Sequence, residues 1–542
     1  MIERPRLASP GMSPRRPRQH DPLYHRLSDA ERFVLRSVRE GRVADFDERF
    51  AAAYPELHDS HAWDHRTIRS TVLADLCVGR YGPLAMTPFG VRIKGARVVG
   101  EWQLSGATIA CVVSLHRCLI PETIWLRDTH LRLINLAGSR TGSIQADRLR
   151  ADGGVYLRHL FVALGEVRLS DAHIEGDLDC SGGTFHSRTG LAIRADRLRC
   201  TGSVFFSSWE RSGSDAKDDS RLAPRAPTRP SPDLVLPNRW FSARGTVRLI
   251  DATIGANVVC QKASFSNPDG DALLADNARI GGALIWSDLK APLEGCVSLA
   301  NAHVQTLDVR GARWPKQDKL VLEGFQYESL RTHGTISAEG CLKVLRLQRP
   351  LPFHPQPYEQ LVKVLRAMGH DDDARTIAIE KRREQGRLHP SRMIRAENIL
   401  LNVLVGYGYR PWRTIAFMGI FIVTGMFIFG GAYRYGIMAP TKSLVTSPSS
   451  SGSSNPAVRM QYQPFNALVY SADVFLPIVD LQQETYWQPT NAYYTTVTSP
   501  TGARYDVDMG MACRIYMWLH IAFGWILSTI TVAALTGLIK KD

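Results

Sequence analysis

Paired cysteines are missing from this chain. The nine cysteines, Cys77, Cys111, Cys118, Cys180, Cys200, Cys260, Cys296, Cys341 and Cys513, are odd in number and none stands in a C-x-x-C pair. This excludes a zinc ribbon and a closed disulfide framework, and reads as buried thiols in a reducing compartment. The sequence also lacks a G-x-G-x-x-G turn after a strand, a C-x-x-C-H and an H-E-x-x-H. The usual signatures of dinucleotide, haem and zinc-protease chemistry are therefore absent, so no cofactor or metal is expected and no enzyme is expected. There is no aromatic–basic interleaving, helix-turn-helix or zinc-finger spacing, which argues against nucleic acid as a partner. The first residues, "MIERPRLASPGMSPRRPRQHDP", have no apolar core of the secretory kind. A disordered, basic cytoplasmic arm is expected over residues 1–26.

Acidic residues are outnumbered. Lys and Arg total 66 against 52 Asp and Glu, a formal net charge of +14 over 542 residues. A basic chain of this kind favours anionic partners, with lipid head groups first among them.

What is present begins with a repeat. "EVRLSDAHIEGDLDCSGGTF" at Glu166–Phe185 matches "TVRLIDATIGANVVCQKASF" at Thr246–Phe265. "LAIRADRLRCTGSVFF" at Leu191–Phe206 and "CVSLANAHVQTLDVRGARW" at Cys296–Trp314 are further copies. Period-2 alternation with a small residue before each second run predicts short strands meeting at corners. A period of roughly 20–25 residues is that of a solenoid, whose coils share one interior. The units resemble pentapeptide-repeat proteins, and that resemblance implies a right-handed parallel β-helix, here over residues 91–345. Cys180, Cys200 and Cys260 fall at apolar coil positions. They read as an interior stack of small hydrophobes, with a redox or metal role as the alternative. The polar, Pro-rich segment 211–232 is expected to be a disordered insertion.

Flanking elements read as helices. Ser28 and Glu31 form a capping box ahead of "RFVLRSV", so a helical cap is expected over 27–90. In "PYEQLVKVLRAMGHDDDARTIAIEKRREQGR", Gly369 separates two helical patterns. An αα-hairpin adapter is expected over 355–400. Asp371–Asp373 suit a helix start; with His370 they are also a conceivable metal set.

The C-terminal part, 401–542, differs in kind. Residues 414–432 carry no charge, and residues 515–539 carry none apart from the titratable His520. Each is long enough to span a bilayer. Lys and Arg cluster between Lys381 and Arg413 and recur at Lys540 and Lys541, so both termini are expected in the cytoplasm. The expected location is a bacterial inner membrane, crossed twice.

"VGYGYRPW" at Val405–Trp412 holds the tripeptide of a potassium filter, but it precedes the first apolar stretch on its basic side. It reads as a break before Pro411, with Tyr407, Tyr409 and Trp412 at head-group level and Arg410 and Arg413 facing lipid phosphate. Between the apolar stretches, "FNALVYSADVFLPIVDLQQETYW" predicts a short helix broken at Pro477. Segment 465–481 is too short to span. It reads either as a re-entrant loop with Asp473, Leu476, Pro477 and Asp480 near a pore, or as a helix lying on the membrane. No glycine occurs between Phe465 and Trp487, so the potassium filter's backbone is not expected. His520 invites a functional reading as an intramembrane titratable group, or sits near the interface reaching outward. Thr529, Ala533 and Gly537 form a small-xxx-small stripe for helix approach, within the hairpin or between copies.

A β-helix followed by "PYEQL", "GHDDDAR", "VGYGYRPWR", "FLPIVDL" and "GWILSTITVAALTGL" resembles a family of bacterial proteins often labelled membrane-associated oxidoreductases. The label implies redox chemistry. The residues themselves point to a β-helix that senses or docks a cytoplasmic protein or ligand, joined to a two-span pore-like element in a homo-oligomer. The alternative is a non-conducting, membrane-tethered scaffold.

Overall fold

Two residues make one side of a coil, and then the chain turns. In this computed structural model, Ile144–Gln145, Arg150–Ala151, Val155–Tyr156 and Val162–Ala163 are successive strands of that length. Each pairs in parallel with its counterparts in the coils above and below, so the coil has four sides. Longer strands such as Arg279–Ile285 run through a corner and join the sides into sheets of 15 and 14 strands. The result is a parallel β-solenoid of about nine turns.

The described residues are 26–50, 63–81, 89–209, 239–290, 293–334, 336–388, 391, 393, 399, 403, 412–441, 463–490, 494–498 and 504–536. The expected arm 1–26 (but for Arg26), the insertion 211–232 and the glycine break before Pro411 lie outside them. The chain forms two compact units, Met1–Ala374 and Arg375–Asp542.

Alternation decides what each side buries. Val155, Leu178, Val204, Val258 and Leu284 stand in register down one interior column, each 3% exposed or less. Ala151, Ile174, Cys200, Ile254 and Ile280 form a second column. Each buried aliphatic side chain contributes about 1.5–3 kcal/mol relative to exposure. An aromatic column, Phe161, Phe185, Phe241, Phe265 and Trp286, stacks with ring centroids 5.3–5.6 Å apart. Cys180, Cys200 and Cys260 are buried in this interior. Burial pushes the Cys200 thiol up to about 11 and also raises Cys180 and Cys260 well above their ordinary value. These thiols are small hydrophobes, poorly suited to nucleophilic or redox work at neutral pH.

One corner carries a left-handed residue in seven successive coils: Asp128, Arg148, Asp171, Arg197, Asp251, Asn277 and Asn301, all with φ of 55–57°. Asp and Asn tolerate this conformation, whereas Arg does so at a cost. The two arginines are held by bidentate pairs, Arg148 to Asp128 at 2.6 and 2.7 Å and Arg197 to Asp171 at 2.7 and 2.8 Å. Those hydrogen bonds keep both carboxyls below their ordinary range.

Both ends of the stack are covered. Helix α1 (Asp29–Arg39) opens with the reciprocal Ser28–Glu31 capping box. Strands Ala44–Asp45 and Thr67–Arg69 pair with Val91–Lys94 and Arg97–Val99, which ties the cap to the first coil. The short α2 (Phe46–Arg49) and α3 (Ser70–Cys77) complete it. At the other end follow α4 (Ala338–Leu345) and α5 (Gln356–Ala367). Gln356 accepts from Gly324 N at 2.9 Å and donates to Phe325 O at 3.1 Å, and Gln360 donates to Tyr327 O at 2.6 Å. Side-chain amides thus replace the missing next strand at the open edge. Helix α6 (Asp371–Leu388) starts with the three aspartates in its first turn, where the helix dipole favours them.

Candidate membrane-spanning unit and its re-entrant segment

Two helices of the second unit, α7 (Trp412–Arg434) and α10 (Met509–Leu535), are long and apolar enough to cross a membrane. Over an 18-residue stretch of each, the mean hydropathies are 2.1 and 1.6. Both differ from the charge-free stretches in the sequence. Helix α7 adds Trp412 and Arg413 at its start, and α10 begins six residues before Ile515. A helix runs as far as its caps allow: Asp508 accepts from Met511 N at 2.9 Å and fixes the start of α10.

Between them lies α8 (Ala467–Phe475), capped by Asn466, whose side chain accepts from Leu468 N and Val469 N at 3.1 and 3.2 Å. Its contacts descend α7 in reverse order. Phe465 stacks on Tyr433 at 4.5 Å, Tyr470 meets Phe429 at 4.9 Å, Ser471 donates to Ile422 O at 2.8 Å, and Phe475 meets Phe421 at 5.8 Å. Helix α8 therefore runs antiparallel to α7, from its Arg434 end to its middle. Nine residues cover about 13.5 Å, roughly half a hydrocarbon core.

Glycines make this approach possible. A Cβ on Gly425 would lie 2.3 Å from Ser471 Oγ and 2.8 Å from His520 Cε1. On Gly524 it would lie 1.9 Å from Phe475 O. The cluster between the three helices is filled by Phe429, Tyr470, Val474, Cys513 and Met517.

After Phe475 the chain turns, with Val479 N donating to Leu476 O at 3.3 Å, and leads back toward the start of α8. Asp473 organises the return: its carboxylate accepts from Leu481 N at 2.5 Å and from Glu484 N at 2.9 Å. Asp480 accepts from Gln482 N at 2.9 Å and is exposed. Helix α9 (Gln483–Tyr486) closes the neck, where Gln483 accepts from Asn466 N at 3.3 Å and Trp487 donates to Gln463 O at 3.1 Å. Leu476 and Pro477 are half-buried, whereas Ile478 is 84% exposed.

His520 departs from the outward-reaching alternative. It is the twelfth residue of α10, about 16 Å from that helix's start, and is 1% exposed. Its Nε2 lies 3.2 Å from Ser471 Oγ and 3.3 Å from Ser471 O, and its Nδ1 lies 3.4 Å from Tyr516 OH. Because Ser471 donates its own hydrogen to Ile422 O, the imidazole donates from Nε2 and accepts from Tyr516 at Nδ1. The earlier start of α10 explains the greater depth.

Of the stripe Thr529, Ala533 and Gly537, the two described residues lie off the buried face of α10. Thr529 is exposed, Ala533 is half-buried and Gly537 lies outside the described residues. The buried face of α10 lies beside it, at Gly524, Leu527, Thr531 and Ala534. Trp412 is exposed and Arg413 half-buried, while Tyr407, Tyr409 and Arg410 lie outside the described residues. Sequence reasoning missed Gly425, Gly524 and Tyr516. The signal for the glycines was their place mid-way along two apolar runs. No family model, curated protein or solved structure matches the chain.

Proposed function

We propose that the second unit crosses a membrane twice and that several copies enclose a cation path around the 476–481 turn. The first unit is then a cytoplasmic docking or sensing solenoid. One observation carries this reading: α8 packs along half the length of both apolar helices before a short non-helical return. A helix lying flat on a membrane would not contact Phe421 and Gly524 at mid-span. A short helix followed by an extended segment between two spans is the layout of two-span pores. The turn leaves Ile478 and Asp480 uncovered in a single copy. One hairpin cannot enclose water, so the path needs an oligomer.

The roles of the two aspartates separate. Asp473 is engaged by two backbone N–H groups and is a positioning residue for the return. Asp480 is exposed and is the carboxylate that faces permeating cations. The lysine and arginine bias before Trp412 supports cytoplasmic termini in a bacterial inner membrane. A non-conducting scaffold is the second reading, favoured by the completeness of the cluster around Tyr470 within one copy. Cation flux through purified protein in liposomes decides between them. Flux that Asp480→Asn reduces supports the pore; silent, monomeric protein supports the scaffold.

A further inference from the structure

The solenoid treats the arginines of two of its sides differently. Around one side, Arg127 and Arg168 meet Asp147 at 3.4 and 3.3 Å, Arg194 meets Glu166 at 3.0 Å and Arg248 meets Asp196 at 3.0 Å. On the side that begins at Arg150–Ala151, Arg132, Arg150, Arg199 and Arg279 are all exposed. None of these four has a side-chain hydrogen bond or ion pair among the described residues.

Register aligns them. His130, Arg150, His173, Arg199, Thr253, Arg279 and His303 occupy consecutive positions of one outward column. Strands about 4.8 Å apart place successive arginines of the column, Arg150, Arg199 and Arg279, about 10 Å apart, in a row about 19 Å long. Beside the column, His130 lies 2.7 Å from Asp152 and His173 lies 2.8 Å from Glu175, and on the other flank the exposed Asp251 accepts from the Asn277 amide at 3.0 Å. Glu328, at the far end, is exposed. On the flank away from Asp251, the outward positions between Arg199 and Arg279 are Thr201, Gly255 and Gly281, so on that flank no bulky side chain stands between the guanidiniums and a planar partner.

We infer that this side of the solenoid docks on the surface of an anionic lipid bilayer. The guanidiniums have no carboxylate of their own, and lipid phosphates supply the missing charge in the bidentate geometry that arginine favours. A flat side matches a flat partner. The inference rests on reading Trp412–Arg434 as a membrane anchor in one respect: the tether holds the solenoid near the bilayer, where weak contacts act at high effective concentration.

The first unit has its own core and covered ends, so residues 1–388 serve as the probe. They are floated with phosphatidylglycerol-containing vesicles and with pure phosphatidylcholine vesicles. Binding to the first alone is expected, weakening with salt. The triple variant Arg150→Gln, Arg199→Gln, Arg279→Gln changes only exposed groups, and circular dichroism verifies its fold. Its affinity is expected to fall on the order of 100-fold. Equal binding to both vesicles, no binding to either, or an unchanged triple variant overturns the inference. So does tighter binding to a soluble oligonucleotide than to the anionic vesicles, which would make the row a nucleic-acid surface. Retention of the full chain in membranes after alkaline extraction tests the anchor separately, so failure of the anchor and failure of the docking side are told apart.

Discussion

Replacing Gly524 tests whether α8 is seated between the apolar helices. A Cβ there would stand 1.9 Å from Phe475 O, with Phe475 C at 2.8 Å and Cα at 3.1 Å. All three are backbone atoms, so no side-chain rotation relieves the contact. The carbonyl must retreat by about 1.5 Å to reach ordinary separation. Phe475 cannot move alone, because its ring is held between Phe421 at 5.8 Å and His520 at 4.9 Å. Overpacking of this kind costs about 1–3 kcal/mol, and Gly524→Val lies at the upper end. The readout is a cross-link across α7 and α8. A Cβ on Gly430 would lie 3.3 Å from that of Ala467, close to the separation of a disulfide. Gly430→Cys with Ala467→Cys is expected to cross-link on mild oxidation. Adding Gly524→Val is expected to lower that yield and the melting temperature in detergent, while insertion is unchanged. Full cross-linking with an unchanged melting temperature would refute the seating of α8.

Other outcomes follow from the first unit and from the orientation. Leu178 is fully buried in an interior column, so Leu178→Ala is expected to cost about 2–5 kcal/mol of solenoid stability, read by chemical denaturation. Glu31 is buried; burial alone would raise its carboxyl, but hydrogen bonds from Arg69 and Ser28 outweigh that and hold it below its ordinary value. The cap's contribution is therefore present above the ordinary carboxylate pKa and is lost as pH falls through the depressed one. Glu31→Gln is expected to flatten that acid limb in a fluorescence titration; an unaltered limb would exclude Glu31 as its source. A cysteine introduced at Ser451 is expected to react with an impermeant reagent in intact cells, and one at Arg383 is not. The reverse pattern would invert the orientation.

The solenoid was legible because its rule is local. Alternation and a repeating length name the interior column one side at a time, and the register then follows from stacking. The apolar helices were legible for the same reason, being runs of one kind of residue. The seating of α8 was not. It depends on Gly425 and Gly524 facing Ser471 and Phe475 across 46 and 49 positions of sequence, and a glycine's missing side chain leaves no apolar signature. The stripe at Thr529 left its use open, within the hairpin or between copies, because small residues recur along α10 on two neighbouring faces. Only packing shows which face is covered. Asp473 and Asp480 looked equivalent as letters; burial separates them, Asp473 being enclosed with two backbone N–H groups of the return and Asp480 exposed.

Modification of Asp480→Cys during cation flux is the most direct test of the pore. The protein is reconstituted in liposomes, and a small, positively charged, water-soluble thiol reagent is added from the side opposite the termini. The pore reading predicts that the reagent reaches this cysteine and suppresses the flux, and that the same reagent leaves protein with the native Asp480 conducting. Rapid modification with no change in flux, or no flux from either protein, would contradict it.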